Sequence, residues 1–213
     1  MIRCVVLVSA LAALGPLGSG AAQPTFEDLL RAAQSGNLAT VQNLVSRGMD
    51  PDTADPAGNT LLMLASREGR AGVVGYLIGR KAKLNIRNGA GETPIMLASL
   101  KGHLNIVKLL HAGGASLNAP GWTPLHYCAW EGHAEICRFL IEHGAAVDAP
   151  SPNGTSPLMM AARQGHIEIV KLLLAGAADS SARNDSNGTA LSWALRAGHT
   201  TIADLLRRAG AKE

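Results

Sequence analysis

The sequence predicts an all-α solenoid in which helix-turn-helix units stack in a row and are joined by short β-turn or hairpin fingers. A glycine recurs at intervals of 33, 33, 30, 33 and 33 residues, and a threonine or serine recurs in the same register. The chain is 47% apolar but only 3% aromatic, which is typical of a thin, modular fold. The recurring residues are Gly36, Gly69, Gly102, Gly132, Gly165 and Gly198, and Thr60, Thr93, Thr123, Ser156 and Thr189.

Composition excludes several classes of protein. The abundance of apolar residues, with only 16% charged residues, excludes a disordered chain. A net charge of +3 is too small to indicate a nucleic-acid partner, because such binding needs several clustered cations. The three cysteines include no CxxC pair, which excludes a four-ligand zinc site of the usual spacing.

Residues 1–22 have the layout of a secretory signal peptide. Arg3 is followed by an apolar run from Val5 to Leu14 and then by small residues up to Ala22, where we expect cleavage. An uncleaved membrane anchor is the alternative, but the run is shorter than the roughly 20 residues that a spanning helix needs. Residues 23–213 would then form the mature domain, with Cys128 and Cys137 in an oxidising compartment.

Each unit reads as a turn followed by two short helices, and the third unit shows the pattern most clearly. Thr93 can cap the first helix, and Pro94 suits the first helical position, which needs no N–H group. Gly102 makes the reversal, and the second helix runs from Leu104 to His111. Gly114 can adopt the left-handed conformation that ends a helix.

The six repeats have the following approximate bounds: 25–55, 56–88, 89–118, 119–151, 152–184 and 185–213. The first and last depart from the pattern, as terminal capping repeats do. Lys81 and Ala177 replace the glycine that ends the second helix, and Gly79 and Gly176 are candidates to end those helices instead.

The chain resembles the ankyrin repeat family from about Thr25 to Gly210. The segments that carry the resemblance are Gly121-Trp122-Thr123-Pro124-Leu125-His126, Gly132-His133, Gly144-Ala145-Ala146-Val147-Asp148 and Gly165-His166-Ile167-Glu168-Ile169-Val170-Lys171-Leu172-Leu173-Leu174. The resemblance implies a non-catalytic scaffold whose ligand is another protein. With its leader, the chain looks like a small exported, periplasmic bacterial ankyrin repeat protein.

The resemblance also implies a structural role for the histidines. One set follows the reversal glycine and would tie the helix start to the neighbouring turn: His103, His133, His166 and His199. His126 occupies the Thr-Pro-Leu-His position. A shared metal site is disfavoured because residues one repeat apart lie about 10 Å apart. No catalytic motif and no cofactor-binding motif is found, so we predict no cofactor, no metal and no catalytic residue.

Cys128 and Cys137 lie at equal distances from the turn of the fourth repeat. In an antiparallel helix pair this places them at the same level, so a disulfide between them is plausible. The alternative is two buried small residues at positions where alanine and valine are usual.

The family binds partners through the finger tips and the end of the first helix, which here correspond to one surface. The tips are Asn59, Glu92, Trp122, Thr155 and Gly188, and the helix ends are Gln34-Ser35, Arg67-Glu68, Leu100-Lys101, Trp130-Glu131, Arg163-Gln164 and Arg196-Ala197. The turn at residues 118–121 is three residues short and predicts a notch beside Trp122 and Trp130.

The predicted partner-binding residues are Trp122, Trp130, Glu131, Arg67, Lys101, Arg163, Arg196 and Leu100. They would form an aromatic hot spot with a cationic surround, suited to an apolar protrusion with acidic neighbours. The alternative is that Trp122 fills the gap left by the short turn and that the charges are merely solvated.

The function expected from these observations is protein binding through the concave face in the periplasm, or after secretion. We expect a monomer that binds another protein, has no nucleic-acid partner and has no membrane span after signal cleavage. One alternative is a secreted effector that binds a host protein. A redox or enzymatic protein that uses Cys128 and Cys137 is the least favoured alternative.

Overall fold

The computed structural model describes residues 25–212, and this part of the chain forms twelve α-helices in six antiparallel pairs. The inner helix of each pair comes first: α1 (Phe26–Ser35), α3 (Leu61–Arg67), α5 (Pro94–Leu100), α7 (Pro124–Glu131), α9 (Pro157–Gln164) and α11 (Ala190–Arg196). The outer helices are α2 (Leu38–Ser46), α4 (Ala71–Gly79), α6 (Leu104–Ala112), α8 (Ala134–Glu142), α10 (Ile167–Ala175) and α12 (Thr200–Arg208). The predicted all-α solenoid is confirmed. The predicted signal peptide lies outside the described residues.

The helices form two layers with the core between them. Each inner helix packs against the inner helices of the neighbouring repeats, and each outer helix against the neighbouring outer helices. Val74, Ile95, Val107 and Leu125 are completely buried at the contact between the layers. Between residues 25 and 212 the only β pairing is an isolated bridge from Ala54 to Thr60, and no helix there is long and apolar enough to cross a membrane.

Local sequence determines where the inner helices begin. Thr60 has an extended backbone, and its hydroxyl accepts a hydrogen bond from the Met63 N–H at 3.2 Å, which satisfies one free donor of the first turn. Pro94, Pro124 and Pro157 occupy the first helical turn, where a missing N–H group costs nothing. The start of each inner helix is therefore fixed by residues within that repeat.

Two outer helices end at the candidate glycines, since Gly79 is the last residue of α4 and Gly176 is the C-cap of α10. The left-handed residue that follows each helix is nevertheless not a glycine. Lys81 and Ala177 themselves adopt the left-handed conformation, with φ of 61° and 63°. A left-handed residue with a Cβ atom costs roughly 1–2 kcal/mol. That penalty is small enough for the packing of the neighbouring repeats to outweigh it, so the repeat geometry is retained without glycine.

A row of hydrogen bonds joins each repeat to the one before it. The Nε2 atom of His166 donates to the carbonyl oxygen of Trp130 at 3.0 Å, which is near the end of the preceding inner helix. Three further histidines make the same contact: His103 to Arg67, His133 to Leu100, and His199 to Arg163. In the second repeat, Arg70 replaces the histidine and donates from Nε to the carbonyl of Gln34 at 3.0 Å. These bonds fix the ends of the inner helices, which is where the predicted binding residues lie.

Candidate functional site

A groove of about 380 Å³ lies on the inner-helix side of repeats three to six. We call it the aromatic groove because most of its large side chains are aromatic. The residues that form most of it are Leu100, Trp122, Tyr127, Trp130, Arg163 and Trp193. The three tryptophans are partly exposed and also pack against the core. They are all the tryptophans of the chain, so its largest side chains are concentrated in one place.

Two parallel rows of positions on the inner helices build the aromatic groove. The first row consists of the residues two positions before the reversal glycine, among them Leu100, Trp130 and Arg163. The second row lies three residues earlier, and it includes Tyr127 and Trp193. Residues three apart share one face of a helix, so both rows face the same side of the molecule.

Arg163 lies between two indole rings. Its Cζ atom is 5.7 Å from the ring centroid of Trp130 in the preceding repeat and 5.4 Å from that of Trp193 in the following repeat. Both distances lie within the range in which a cation is attracted to an aromatic face. The guanidinium is therefore held in place while the Arg163 side chain remains exposed to solvent.

Trp193 belongs to the aromatic groove, but sequence reasoning did not predict it. The predicted contact positions are the finger tips and the helix ends, whereas Trp193 lies one turn earlier on α11. The signal in the sequence is the glycine at the sixth finger tip. A Cβ atom at Gly188 would lie 2.6 Å from the Nε1 atom of Trp193, so the indole occupies the space that a side chain at the tip would need.

Tyr127 was also missing from the predicted site. Its hydroxyl donates a hydrogen bond to Oε1 of Glu92, a finger-tip residue of the preceding repeat, at 3.2 Å. Burial and the neighbouring Glu92 carboxylate raise the pKa of Tyr127 far above its ordinary value. The phenol is therefore neutral and anchored at one end, with its ring lining the groove.

His126 supports the floor of the groove. Its Nδ1 atom accepts a hydrogen bond from the Thr123 N–H at 3.2 Å, and its Nε2 donates to the Thr155 carbonyl at 3.0 Å. Burial lowers the pKa of His126 to about 4. The neutral ring also makes an edge contact with Trp122, with the centroids 5.3 Å apart. Arg163 is consequently the only groove-lining residue in the described chain that is charged at neutral pH.

The short turn at residues 118–121 lies beside the groove and changes how the fingers connect. Main-chain hydrogen bonds link the fingers of repeats two and three, from Gly89 N–H to the Ala57 carbonyl, and those of repeats five and six. At the short turn a side chain makes the link instead. The guanidinium of Arg87 donates to the Pro120 carbonyl at 2.9 Å and to the Gly91 carbonyl at 2.7 Å.

The structure brings together some of the predicted binding residues and separates others. Leu100, Trp122, Trp130 and Arg163 line the aromatic groove. Arg196 lines a neighbouring hollow of about 550 Å³ that shares Arg163 and Trp193 with the groove, and we call it the arginine hollow.

The remaining predicted residues lie outside both cavities. Lys101 and Glu131 are exposed, and neither lines the aromatic groove or the arginine hollow. Arg67 lines a separate hollow in the first two repeats and contacts Glu68, with 3.2 Å from Nε to the carboxylate oxygen. The cations of this face therefore do not form one ring around the tryptophans.

Beneath the aromatic groove, a disulfide joins Cys128 on α7 to Cys137 on α8, with the Cα atoms 5.7 Å apart. Both cysteines are completely buried. The corresponding pair in the third repeat is Ala98 and Val107, so the disulfide takes the place of an ordinary apolar contact between the inner and outer layers.

The side chains of the groove are of types that suit noncovalent binding. Both ring nitrogens of His126 are engaged in hydrogen bonds, so the ring is not free to act as a base. No three histidine, cysteine, aspartate or glutamate side chains are grouped to hold a metal ion anywhere in residues 25–212. What the groove presents is aromatic surface and one positioned cation.

The sequence of this chain matches a known protein family. A family model described as ankyrin repeats (3 copies) matches residues 29–119, 72–151 and 146–212. No curated protein sequence matches the chain. Taken together, the matched ranges extend from the first helix to the last.

Proposed function

This chain belongs to the ankyrin repeat family, whose repeats indicate a protein–protein interaction module, and from that premise we propose that it is a non-catalytic scaffold that holds its partner at the aromatic groove. The partner contacts the inner-helix face of repeats three to six. The outer helices pack behind that face, and the disulfide between α7 and α8 links the two layers.

The observation that carries this proposal is the convergence of Trp122, Trp130 and Trp193 around Arg163. Tryptophan, tyrosine and arginine are the residues most enriched at the energetic centres of protein interfaces. The indole ring of tryptophan offers a large contact area, and its side chain loses little conformational entropy on binding. Here repeats four and six contribute the indole rings, and repeat five contributes the guanidinium, to one partly open groove.

The signal-peptide layout of residues 1–22 and the cysteines support a location outside the cytoplasm, and we propose that the protein acts in the periplasm or is secreted. The disulfide between Cys128 and Cys137 is compatible with an oxidising compartment, where such bonds persist. The expected partner is therefore a protein that is exposed in the same compartment.

The test is the capture of a periplasmic partner by immobilised protein, comparing the wild type with Trp130→Ala. Loss of this ring should weaken binding by at least ~2 kcal/mol, the usual effect at an interface hot spot. Leu109→Ala is the matched control, because Leu109 is an exposed apolar residue on the outer helix α6. Capture by the control but not by Trp130→Ala is the expected result. Equal capture by both variants, with unchanged helical circular dichroism, would contradict the proposal.

A further inference from the structure

We propose that the segment bound in the aromatic groove is acidic, extended and proline-containing, with a proline against Trp130 and carboxylates on Arg163 and Arg196. This inference rests on the proposed function and names the chemistry of the partner. It follows from the charge of the two cavities, the geometry of the repeats and the absence of a pairing edge in the described chain.

Charge selects an acidic partner over a basic one. An aromatic groove on its own could attract a cation, but Arg163 already lies against the rings of Trp130 and Trp193. A second cation there would meet the guanidinium, whereas a carboxylate could form charge-assisted hydrogen bonds with it. Because two rings contact the Arg163 guanidinium, its side chain loses less entropy when an anion binds than that of an arginine without such contacts.

The arginine hollow extends the same preference into the sixth repeat. Arg163 and Arg196 both line it, and both side chains are exposed. No carboxylate of residues 25–212 forms an ion pair with either guanidinium. Two adjacent arginines without an internal counter-ion favour a segment that carries more than one negative charge.

Backbone geometry favours a polyproline II segment over an added β-strand. A partner strand needs an exposed edge to pair with, and the described residues offer only the isolated bridge between Ala54 and Thr60, which lies in a different repeat. A polyproline II helix needs no such edge, and its proline rings pack against aromatic side chains.

The repeat spacing matches the period of that helix. Stacked inner helices lie roughly 8–10 Å apart. A polyproline II helix has three residues per turn and rises about 3.1 Å per residue, so every third residue returns to the same face after roughly 9 Å. Positions i, i+3 and i+6 of the bound segment can therefore meet Trp130, Arg163 and Arg196 in turn. The expected pattern is a proline followed, or preceded, at these spacings by two acidic residues.

A library of random 12-residue peptides, displayed on phage and selected on the purified protein, tests this inference. Selection should enrich acidic peptides with a proline three residues from an aspartate or glutamate. A synthetic peptide of the enriched sequence should bind at least roughly tenfold more weakly to Arg163→Gln, since a hydrogen bond to a charged group is lost. Lys171→Gln is the matched control, because it removes one charge from an exposed position on the outer helix of the same repeat. Binding to this control should be unchanged.

Other results would overturn the inference. Enrichment of basic peptides, of proline-free peptides or of no peptides at all contradicts it, as does equal binding to Arg163→Gln and the wild type. If such a result accompanies capture of a protein that still depends on Trp130, only the chemistry assigned to the segment is wrong. If capture is also independent of Trp130, the proposed function fails as well.

Discussion

At the scale of single residues, Gly132 has two separate reasons to lack a side chain. Its φ of 90° lies in the left-handed region, and a Cβ atom there would lie 2.6 Å from the Cε1 atom of His166. That histidine carries the hydrogen bond between repeats four and five. Gly144, in the same repeat, has a φ of 87° but no atom within 4 Å of an added Cβ.

The pair Gly132→Ala and Gly144→Ala separates these two reasons. Both variants introduce a strained left-handed alanine, which costs about 1–2 kcal/mol. Only Gly132→Ala also displaces His166, so we expect its free energy of unfolding to fall by about 1 kcal/mol more, the contribution of a typical hydrogen bond. Urea denaturation measures both values. Equal losses in the two variants would show that the histidine contact contributes nothing.

His126 makes the stability of the protein depend on pH. Burial lowers its pKa in the folded state to about 4, against an ordinary value of 6.5 for histidine. Between these values the unfolded chain binds the extra proton and the folded chain does not, so stability is fully present above pH 6.5 and falls as the pH drops towards 4. The full loss is about 3 kcal/mol. Unfolding measured from pH 7 to pH 4 should show this slope, and His126→Gln should reduce it. An unchanged slope in the variant would assign the pH dependence to other groups.

Within the fourth helix pair, the disulfide strengthens a contact between the inner and the outer helix that the third repeat makes with apolar side chains alone. Cys128 and Cys137 occupy the positions of Ala98 and Val107 in the third repeat. The bond closes a loop with a sequence separation of 9 residues. A loop of that size restricts the unfolded chain by an amount equivalent to about 2–3 kcal/mol.

The double variant Cys128→Ala with Cys137→Val removes the bond but keeps the apolar packing found in the other repeats. We expect its free energy of unfolding to fall by about 2–3 kcal/mol, and its melting temperature by several degrees. Reductant should lower the stability of the wild type by a similar amount and leave the variant unchanged. A wild type that does not respond to reductant would contradict a stabilising disulfide.

Helices and site residues differ in how far they could be predicted from the sequence. Thr60, Pro94 and their equivalents act within one turn of the chain, so the starts of the inner helices follow from local chemistry. The position of Trp193 depends on an empty finger tip at Gly188 and on Arg163 of the preceding repeat. Gly188 lies in the same repeat as Trp193, so that part of the arrangement has a local signal. The contact with Arg163 joins two repeats and cannot be deduced from the composition of a single repeat.

Successive repeats are joined in two ways: by hydrogen bonds near the ends of the inner helices and by hydrogen bonds between the fingers. The hydrogen bonds from His103, His133, His166 and His199 each connect the start of an outer helix to the end of the preceding repeat's inner helix. They run from the second repeat to the sixth without a break. The finger connections change at the short fourth turn, where Arg87 makes the link through its side chain. The aromatic groove lies where the histidine hydrogen bonds continue from repeat to repeat but the connections between fingers are least regular.

The gathering of all three tryptophans in the aromatic groove has a practical consequence. Nearly all of the ultraviolet fluorescence of this protein must originate from its proposed binding surface. A partner that covers the groove would alter the polarity around every emitting ring at once. The unlabelled protein thus carries its own optical reporter of occupancy.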